Sequence, residues 1–463
     1  MRGMAAVICV GALGACASHA PPSSIATPAR FANGNADVYA AEPVVQAFWR
    51  TFDDPTLHDL IGRAIHANRD LRVAEARLRQ SHALANQSKT DFLPSGGASV
   101  QYAETRAFGA PAMRNYAGNA QAQWEADVFG RIRYGVSARS ADARAAIADV
   151  HATLVTVTSE TARVYFQLRG VNTRLNVARI SADNQAQSMD LTQARYEEGA
   201  GSELDLQRAR AQLKSTLATI PTLETQRQQL LNQLAVLLGE TPGQTVLPEV
   251  ADINAIGIPE LVAVGDPTEW LRRRPDIRRA EARLAAVAAA AKVSIANLFP
   301  KVTLNAVATS SSADAGGLFD KSRTTSIWGP TLSWAVLSIP RMLYDLSAQR
   351  ARRDESLAAY EQTVLNALAE TESALAAYRF SRQRMAELQE ANEAGARSEE
   401  LARVRYEAGA ADFLSVLDAQ RTQLQIADQL AQSRADRATA LIGVYRSLGV
   451  GWDLQDAQTA LAR

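Results

Sequence analysis

The sequence predicts a mainly α-helical fold with a small membrane β part, built from two copies of one long-helix unit. Three observations predict it. The run Arg195-Tyr196-Glu197-Glu198-Gly199 returns 210 residues later as Arg405-Tyr406-Glu407-Ala408-Gly409. The offset then holds without a gap, so that Leu204 matches Leu414, Ala209 matches Ala419 and Leu238-Gly239 matches Leu448-Gly449. A repeat of this length sets the architecture before any local detail does. Next, residues 131–198 and 341–408 are two 68-residue stretches without proline. At about 1.5 Å per residue each extends about 100 Å as one helix, a length that a rod or tube accommodates and a compact domain does not. Finally, segments with strand periodicity precede each long stretch.

Composition narrows the classes. Lysine and arginine balance aspartate and glutamate, 49 against 49, so nothing points to nucleic acid. Aromatics make up only 6% and alanine is abundant, which suits closely packed long helices. Past the N-terminus no run of eighteen apolar residues occurs, and no membrane-spanning helix is expected.

Residues 1–15 are expected to be a signal peptide: Arg2, an apolar run from Ala5 to Leu13, then small residues. Leu13-Gly14-Ala15-Cys16 resembles a bacterial lipobox, with Cys16 as the lipid-bearing first residue of the mature chain. Ala17, in place of aspartate, resembles signals routed to the outer membrane. Cys9 leaves with the signal, so no disulfide framework is expected. Residues 16–45, rich in Pro, Ser, Ala and Asn, form a lipidated tether.

The first repeat spans 46–239. Pro55 suits the first turn of a helix, and a helical pattern runs through Leu60, Ile61, Ile65, Leu71, Ala74 and Leu78 before stopping at Phe92-Leu93-Pro94. From Tyr116 to Val128 small or apolar residues alternate with Asn119, Gln121, Gln123, Glu125 and Asp127, a period of two. Val100 and Tyr102 mark a weaker preceding strand, and a loop with Gly109 and Pro111 joins the two. Such strands suit a transmembrane β-barrel; taken alone, the segment suits a soluble sheet equally well. In the long stretch Leu154, Thr161, Leu168 and Leu175 recur every seven residues, as do Val150, Val157, Val164 and Val171, which indicates coiled-coil-like packing. A second helix follows from Ser202, an N-cap, to Leu238, with Gly239 past its end. Pro221 inside it is expected to kink the helix or cost a hydrogen bond.

Residues 240–265, rich in Pro and Gly, form a linker. Asp266-Pro267-Thr268-Glu269 has the form of a helix cap and opens the second repeat, 266–450, which leaves 451–463 as a tail. At an offset of 206, Ala280-Glu281-Ala282-Arg283-Leu284 reproduces Ala74-Glu75-Ala76-Arg77-Leu78. Strands are expected through Val302, Leu304, Ala306 and Ala308, and through Leu332, Trp334 and Val336, around a loop from Ser310 to Thr325. The chain therefore offers four amphipathic strands. Four cannot close a barrel, since small barrels need about eight, and open edges are not viable in lipid. If the strands span a membrane, two, three or four copies must combine.

Several motifs carry a resemblance across nearly the whole mature chain: Phe52-Asp53-Asp54-Pro55, Trp124-Glu125-Ala126-Asp127-Val128-Phe129-Gly130-Arg131, Arg272-Arg273-Arg274-Pro275-Asp276-Ile277 with Ala280-Glu281, and the two Tyr-x-x-Gly turns. With these the sequence resembles the TolC-like outer-membrane factors in their lipoprotein branch. The resemblance implies a homotrimer with a twelve-stranded β-barrel in outer-membrane lipid and a long α-helical tube through the periplasm. It also implies a passive exit duct for drugs, other small molecules or metal ions, fed by an inner-membrane pump through a periplasmic membrane-fusion adaptor. In one departure, Ser338-Ile339-Pro340 precedes Arg341 where the family carries an aspartate and paired glycines.

The resemblance places the narrow point at the two turns. Asp205 and Asp418 match positions where the family sets acidic residues towards the aperture, and three copies would form a cation-favouring ring. The alternative is that both are first-turn carboxylates favoured by the helix dipole. Tyr406 resembles a family tyrosine that links neighbouring helices in the closed state; Tyr196 is its repeat mate. Ala411 stands where a helping arginine is usual, which leaves Arg405 or Glu407 to complete the latch. Catalysis, cofactors and metal are not expected: His19, His58, His66, His82 and His151 show no ligand spacing, and no phosphate-binding loop is present. Two other readings stay open, the exit duct of a type I protein secretion system and a periplasmic coiled-coil scaffold lipoprotein.

Overall fold

The computed structural model describes residues 30–34, 38–40, 47–244, 257–259, 262–264 and 271–452. The expected signal peptide, Cys16 and the Asp266–Glu269 cap lie outside the described residues. The first repeat contains α1 (Pro55–Ala67), α2 (Arg69–Lys89), β2 (Ser95–Thr105), β3 (Met113–Ala126), α3 (Arg131–Glu197) and α4 (Glu203–Leu237). The second contains α5 (Pro275–Ala296), β5 (Lys301–Ser312), β6 (Thr324–Ser333), α6 (Ile339–Glu407) and α7 (Phe413–Ser447). Two short strands, β1 (Tyr39–Ala40) and β4 (Val262–Ala263), pair in parallel.

The four long strands form one antiparallel sheet in the order β2-β3-β5-β6. Beneath it α2, α3, α5 and α6 stand side by side in the same order. The two repeats are built alike at the strand–helix joint. Trp124 donates its indole N–H to the Phe92 carbonyl at 2.9 Å, and Trp334, its repeat mate, donates to Leu298 at 3.1 Å.

Four expectations about element boundaries need correction. The helical pattern from Pro55 breaks at Asn68, whose carboxamide oxygen caps α2 at Leu71 N and whose amide donates to the Leu237 carbonyl, so one residue holds three helix ends together. Residues 127 and 128 leave β3 because the Asp127 carboxylate accepts the Ile132 and Arg133 amides that open α3. In the second repeat the strand ends at Ser333, and Val336–Ser338 form a 3-10 turn. There Leu337 replaces the capping aspartate, and Pro340 takes the first turn of α6, where its missing N–H costs nothing. The expected loop from Ser310 to Thr325 shortens at both ends, since Ser310 pairs with Thr324.

Long-range packing follows the seven-residue pattern. Leu154, Thr161, Leu168 and Leu175 are all buried, as are the four valines beside them. Buried Thr161 and its mate Thr371 return their hydroxyls to the carbonyls four residues back, at 2.7 and 3.0 Å. Where α3 meets α7, a Cβ on Gly170 would sit 2.5 Å from the Ala435 Cβ, so only glycine permits that approach. Pro221 does not interrupt α4. All four long helices end in the same cap: Gly199, Gly239, Gly409 and Gly449 have positive φ, and the amides of these glycines and of the next residue reach back to the last turn.

The main core sits midway down the long helices, where Phe48, Phe52, Leu60, Tyr165, Phe166, Leu234, Tyr378 and Leu441 meet. One polar network crosses it. Asp54 caps α1 through the Thr56 and Leu57 amides, accepts the Tyr165 hydroxyl at 2.8 Å and pairs with buried Arg169. Nearby, His151 stacks on Trp452 with ring centroids 4.3 Å apart. Burial pushes its imidazole down to about 4, so it is neutral at neutral pH. The N-terminal stretch expected as a tether docks here too: the Ala32 and Asn33 amides donate to the Glu372 carboxylate, and Tyr39 donates to the Leu375 carbonyl at 2.6 Å.

Asp54→Ala removes a helix cap and leaves the Arg169 guanidinium buried without its carboxylate, a loss of roughly 3–5 kcal/mol. The expected outcome is a clearly lower thermal unfolding temperature in detergent by tryptophan fluorescence. Asp54→Asn keeps the cap geometry and is expected to fall between the two; an unchanged temperature in Asp54→Ala would refute this role.

Candidate functional site

Far from the sheet, α3 turns into α4 and α6 into α7. Sequence dictates both turns. Glycine permits the left-handed residue that ends each incoming helix: Gly199 has φ 75° and Gly409 φ 73°. A side-chain cap then opens each outgoing helix, and the two repeats achieve it with the same pair of residue types in reverse order. Ser202 caps α4 by accepting the Asp205 amide at 3.1 Å and donates its hydroxyl to the Asp205 carboxylate at 2.7 Å. Asp412 caps α7 by accepting the Ser415 amide at 3.1 Å and the Ser415 hydroxyl at 2.7 Å. Those two bonds hold the exposed Asp412 carboxyl below its ordinary range.

The turns are joined across the repeat boundary. Arg195, at the end of α3, donates to the Glu407 carbonyl at 3.0 Å and places its guanidinium 4.4 Å from the centre of the Tyr406 ring. Tyr406 is only 7% exposed and meets Phe413 edge-on, with Val416, Leu417 and Ala209 completing a small apolar cluster. The Tyr406 hydroxyl makes no hydrogen bond among the described residues, so the ring carries the contact. Tyr196, by contrast, is 42% exposed, and Arg405 is exposed as well.

Of the two aspartates singled out from sequence, Asp205 is engaged by the Ser202 cap and lies 3.6 Å from Arg208. Asp418 is exposed on α7 and forms no hydrogen bond or ion pair among the described residues. They stand on α4 and α7, which meet near the turns where Ala209 joins the Tyr406 cluster, and no hydrogen bond or ion pair links the two carboxylates. Arg195 is the residue that sequence reasoning did not single out as a partner. Its signal was the paired Arg-Tyr in both turns, which does not say which arginine meets which tyrosine.

Just behind the turns, α3, α6 and α7 enclose a cavity of about 280 Å³ lined by Ser188, Glu399, Arg403, Tyr406 and Gln420 among others. Its wall is polar: Gln420 donates to Ser188 at 2.9 Å, and burial raises the Glu399 carboxyl above its usual range, against the opposing effects of Arg403 and Gln420. The buried Gln185 carboxamide has no partner among the described residues. Among those residues there is no cluster of three or more metal-ligating side chains. Charge and packing, not ligand chemistry, join the two turns.

The fold is shared with known proteins. The family described as "Outer membrane efflux protein" matches residues 60–240 and 267–450, most of both repeats. The chain belongs to this family. It is 31% identical over 468 residues to the pyoverdine export outer membrane protein OpmQ of Pseudomonas aeruginosa, covering 97% of each chain. It is 29% identical over 431 residues to the toluene efflux pump outer membrane protein TtgF of Pseudomonas putida, covering 90% of this chain and 88% of that one. The solved outer-membrane channel OprN superposes with a TM-score of 0.86 at 34% identity, over 93% of this chain and 98% of that one. The chain is thus an outer-membrane efflux channel protein, and the resemblance first drawn from its motifs is borne out.

Arg195→Ala removes one hydrogen bond and one guanidinium–ring contact, together roughly 1–2 kcal/mol. Antibiotic entry into cells lacking the pump is expected to rise for Arg195→Ala and Tyr406→Ala. Tyr406→Phe, which keeps the ring, is expected to behave as the parent. Leakage in Tyr406→Phe equal to that in Tyr406→Ala would assign the latch to the hydroxyl instead.

Proposed function

We propose that three copies of this chain form a passive duct that spans the outer membrane and reaches across the periplasm. Cargo would be delivered by an inner-membrane pump through a periplasmic adaptor. The observation that carries this reading is the four-stranded sheet with two open edges, standing on two helices of 67 and 69 residues. In lipid, the unpaired backbone of β2 and β6 must find partners in further copies, and three copies give twelve strands. The helices supply about 100 Å of tube below it.

The turns are then the periplasmic mouth. Asp418, exposed and unpaired among the described residues, is the carboxylate best placed to form a ring around the axis; Asp205 contributes less, being engaged by its own cap. A ring of like charges at a constriction favours cations. The cargo class that fits a passive duct of this family is small molecules, as the names of the relatives say of their own cargo. Cys16, in its lipobox, would anchor the mature N-terminus in the outer membrane.

Unheated samples are expected to run as heat-modifiable trimers in the outer-membrane fraction; a monomer there would sink the proposal. In planar bilayers, Asp418→Ala is expected to lower cation preference more than Asp205→Ala does, and equal selectivity in parent and double variant would remove the ring. Labelled palmitate is expected in the parent and absent from Cys16→Ser; persistent label would refute the anchor.

A further inference from the structure

The seam inside one chain predicts the seam between copies. Within the chain, repeat one meets repeat two where β3 and α3 adjoin β5 and α5. Three contacts fix that register. Phe129 stacks on Phe299 at 4.8 Å, Lys292 lies 5.5 Å from the Tyr134 ring, and Arg279 pairs with Asp149 at 2.7 Å. As one residue number rises the other falls, so the helices run antiparallel. A cavity of about 420 Å³ opens on the same seam, lined by Arg144 and His151 of α3 and by Arg278 and Ala285 of α5. Its charged groups are Arg144, Arg278 and Glu281, with His151 neutral beside them.

Closing the sheet brings β6 of one copy to β2 of the next, which sets α6 beside the next copy's α2. These are the repeat mates of α3 and α5, at offsets of 210 and 206. Each internal contact therefore names an outer one. Asp149 with Arg279 becomes Ala359 with Val73: both charges are gone together. Phe129 with Phe299 becomes Ile339 with Leu93. The cavity positions change most. Arg144 and His151 become Asp354 and Glu361, while Arg278 and Ala285 become Arg72 and Arg79. Glu281 stays acidic as Glu75, and Asp354 also meets Arg353 of its own helix at 2.8 Å, so two acids face two arginines where the internal seam sets Arg144 and neutral His151 against Arg278 and Glu281. The faces concerned are uncovered in one copy, with Val73 48% and Tyr344 80% exposed.

We propose that α2 of one copy packs antiparallel on α6 of the next in this register. Arg72 and Arg79 clasp Glu361 and Asp354 over an apolar strip of Val73 on Ala359 and Leu93 on Ile339. The inference rests on the oligomeric duct proposed above and goes beyond it in fixing which residues meet. Charge complementarity at the changed positions supports a second copy as the occupant.

Two experiments test it on the full-length protein in detergent. Arg72→Glu and Glu361→Arg are each expected to lower the temperature at which the trimer dissociates on unheated gels, and the double variant to recover at least half of that loss. Paired cysteines treated with a short bis-maleimide give the register. Leu93→Cys with Ile339→Cys, and Val73→Cys with Ala359→Cys, are expected to yield covalent dimers and trimers. The exchanged pairs, Leu93→Cys with Ala359→Cys and Val73→Cys with Ile339→Cys, are expected to yield none. Cross-links in the exchanged pairs, or a double charge variant no better than the singles, would overturn this register while the parent still runs as a trimer. A parent that runs as a monomer would instead sink the oligomeric duct itself.

Discussion

Backbone hydrogen bonding at the two edges of a four-stranded sheet is the constraint on which the rest depends. β2 and β6 each pair on one side only, and hydrocarbon offers no water to satisfy the other. No side chain relieves that cost. It requires further strands, and among the described residues the chain offers only β1 and β4, two residues each and already paired with one another. The order of the strands passes directly to the helices: α2, α3, α5 and α6 stand beneath β2, β3, β5 and β6. The rule that closes the sheet therefore also curves the helices into a wall. A single layer of helices has little core, which explains why small residues line the contacts and why Gly170 must let α7 approach so closely.

Stability is distributed unevenly along this wall. Midway, large apolar side chains converge around a polar network in which Asp54, Tyr165 and Arg169 bond one another. Towards the turns the interior becomes polar, with Gln185, Ser188, Glu399 and Gln420 between three helices and a cavity among them. A buried carboxyl raised by desolvation costs stability at neutral pH, and the cost shrinks as pH falls through its raised value. Few apolar contacts and imperfectly paired polar groups mark a segment of low local stability.

Much of this was legible in the sequence because it depends on spacing. The seven-residue series through Leu154 and Val150 lands wholly inside, and the glycines past each long helix take the left-handed conformation expected of them. The Ser202 cap is local, and was read correctly. What escaped depends on tertiary partners. Asn68 breaks a continuous helical pattern because it can reach Leu237, 169 residues away. Asp127 sits in phase with a strand but bonds forward into a helix. The choice of Arg195 as the neighbour of Tyr406 depends on how two hairpins pack, which no periodicity states.

The two turns show how duplication and divergence combine. Ser and Asp exchange places between the N-cap and the third helical position, so both caps survive while the carboxylate moves by three residues. Cap geometry is thus held constant and charge placement is free to differ. The same logic governs the seams between helices. Where the internal seam carries Asp149 and Arg279, the mates are Ala359 and Val73, and where it carries Arg144 and His151 the mates are acidic. A change on one side alone would bury an unmatched charge. Changes on both sides leave each seam matched, but to a different partner. The repeats thereby became unlike enough for each seam to recognise its own partner, while keeping the common curvature that a closed tube demands.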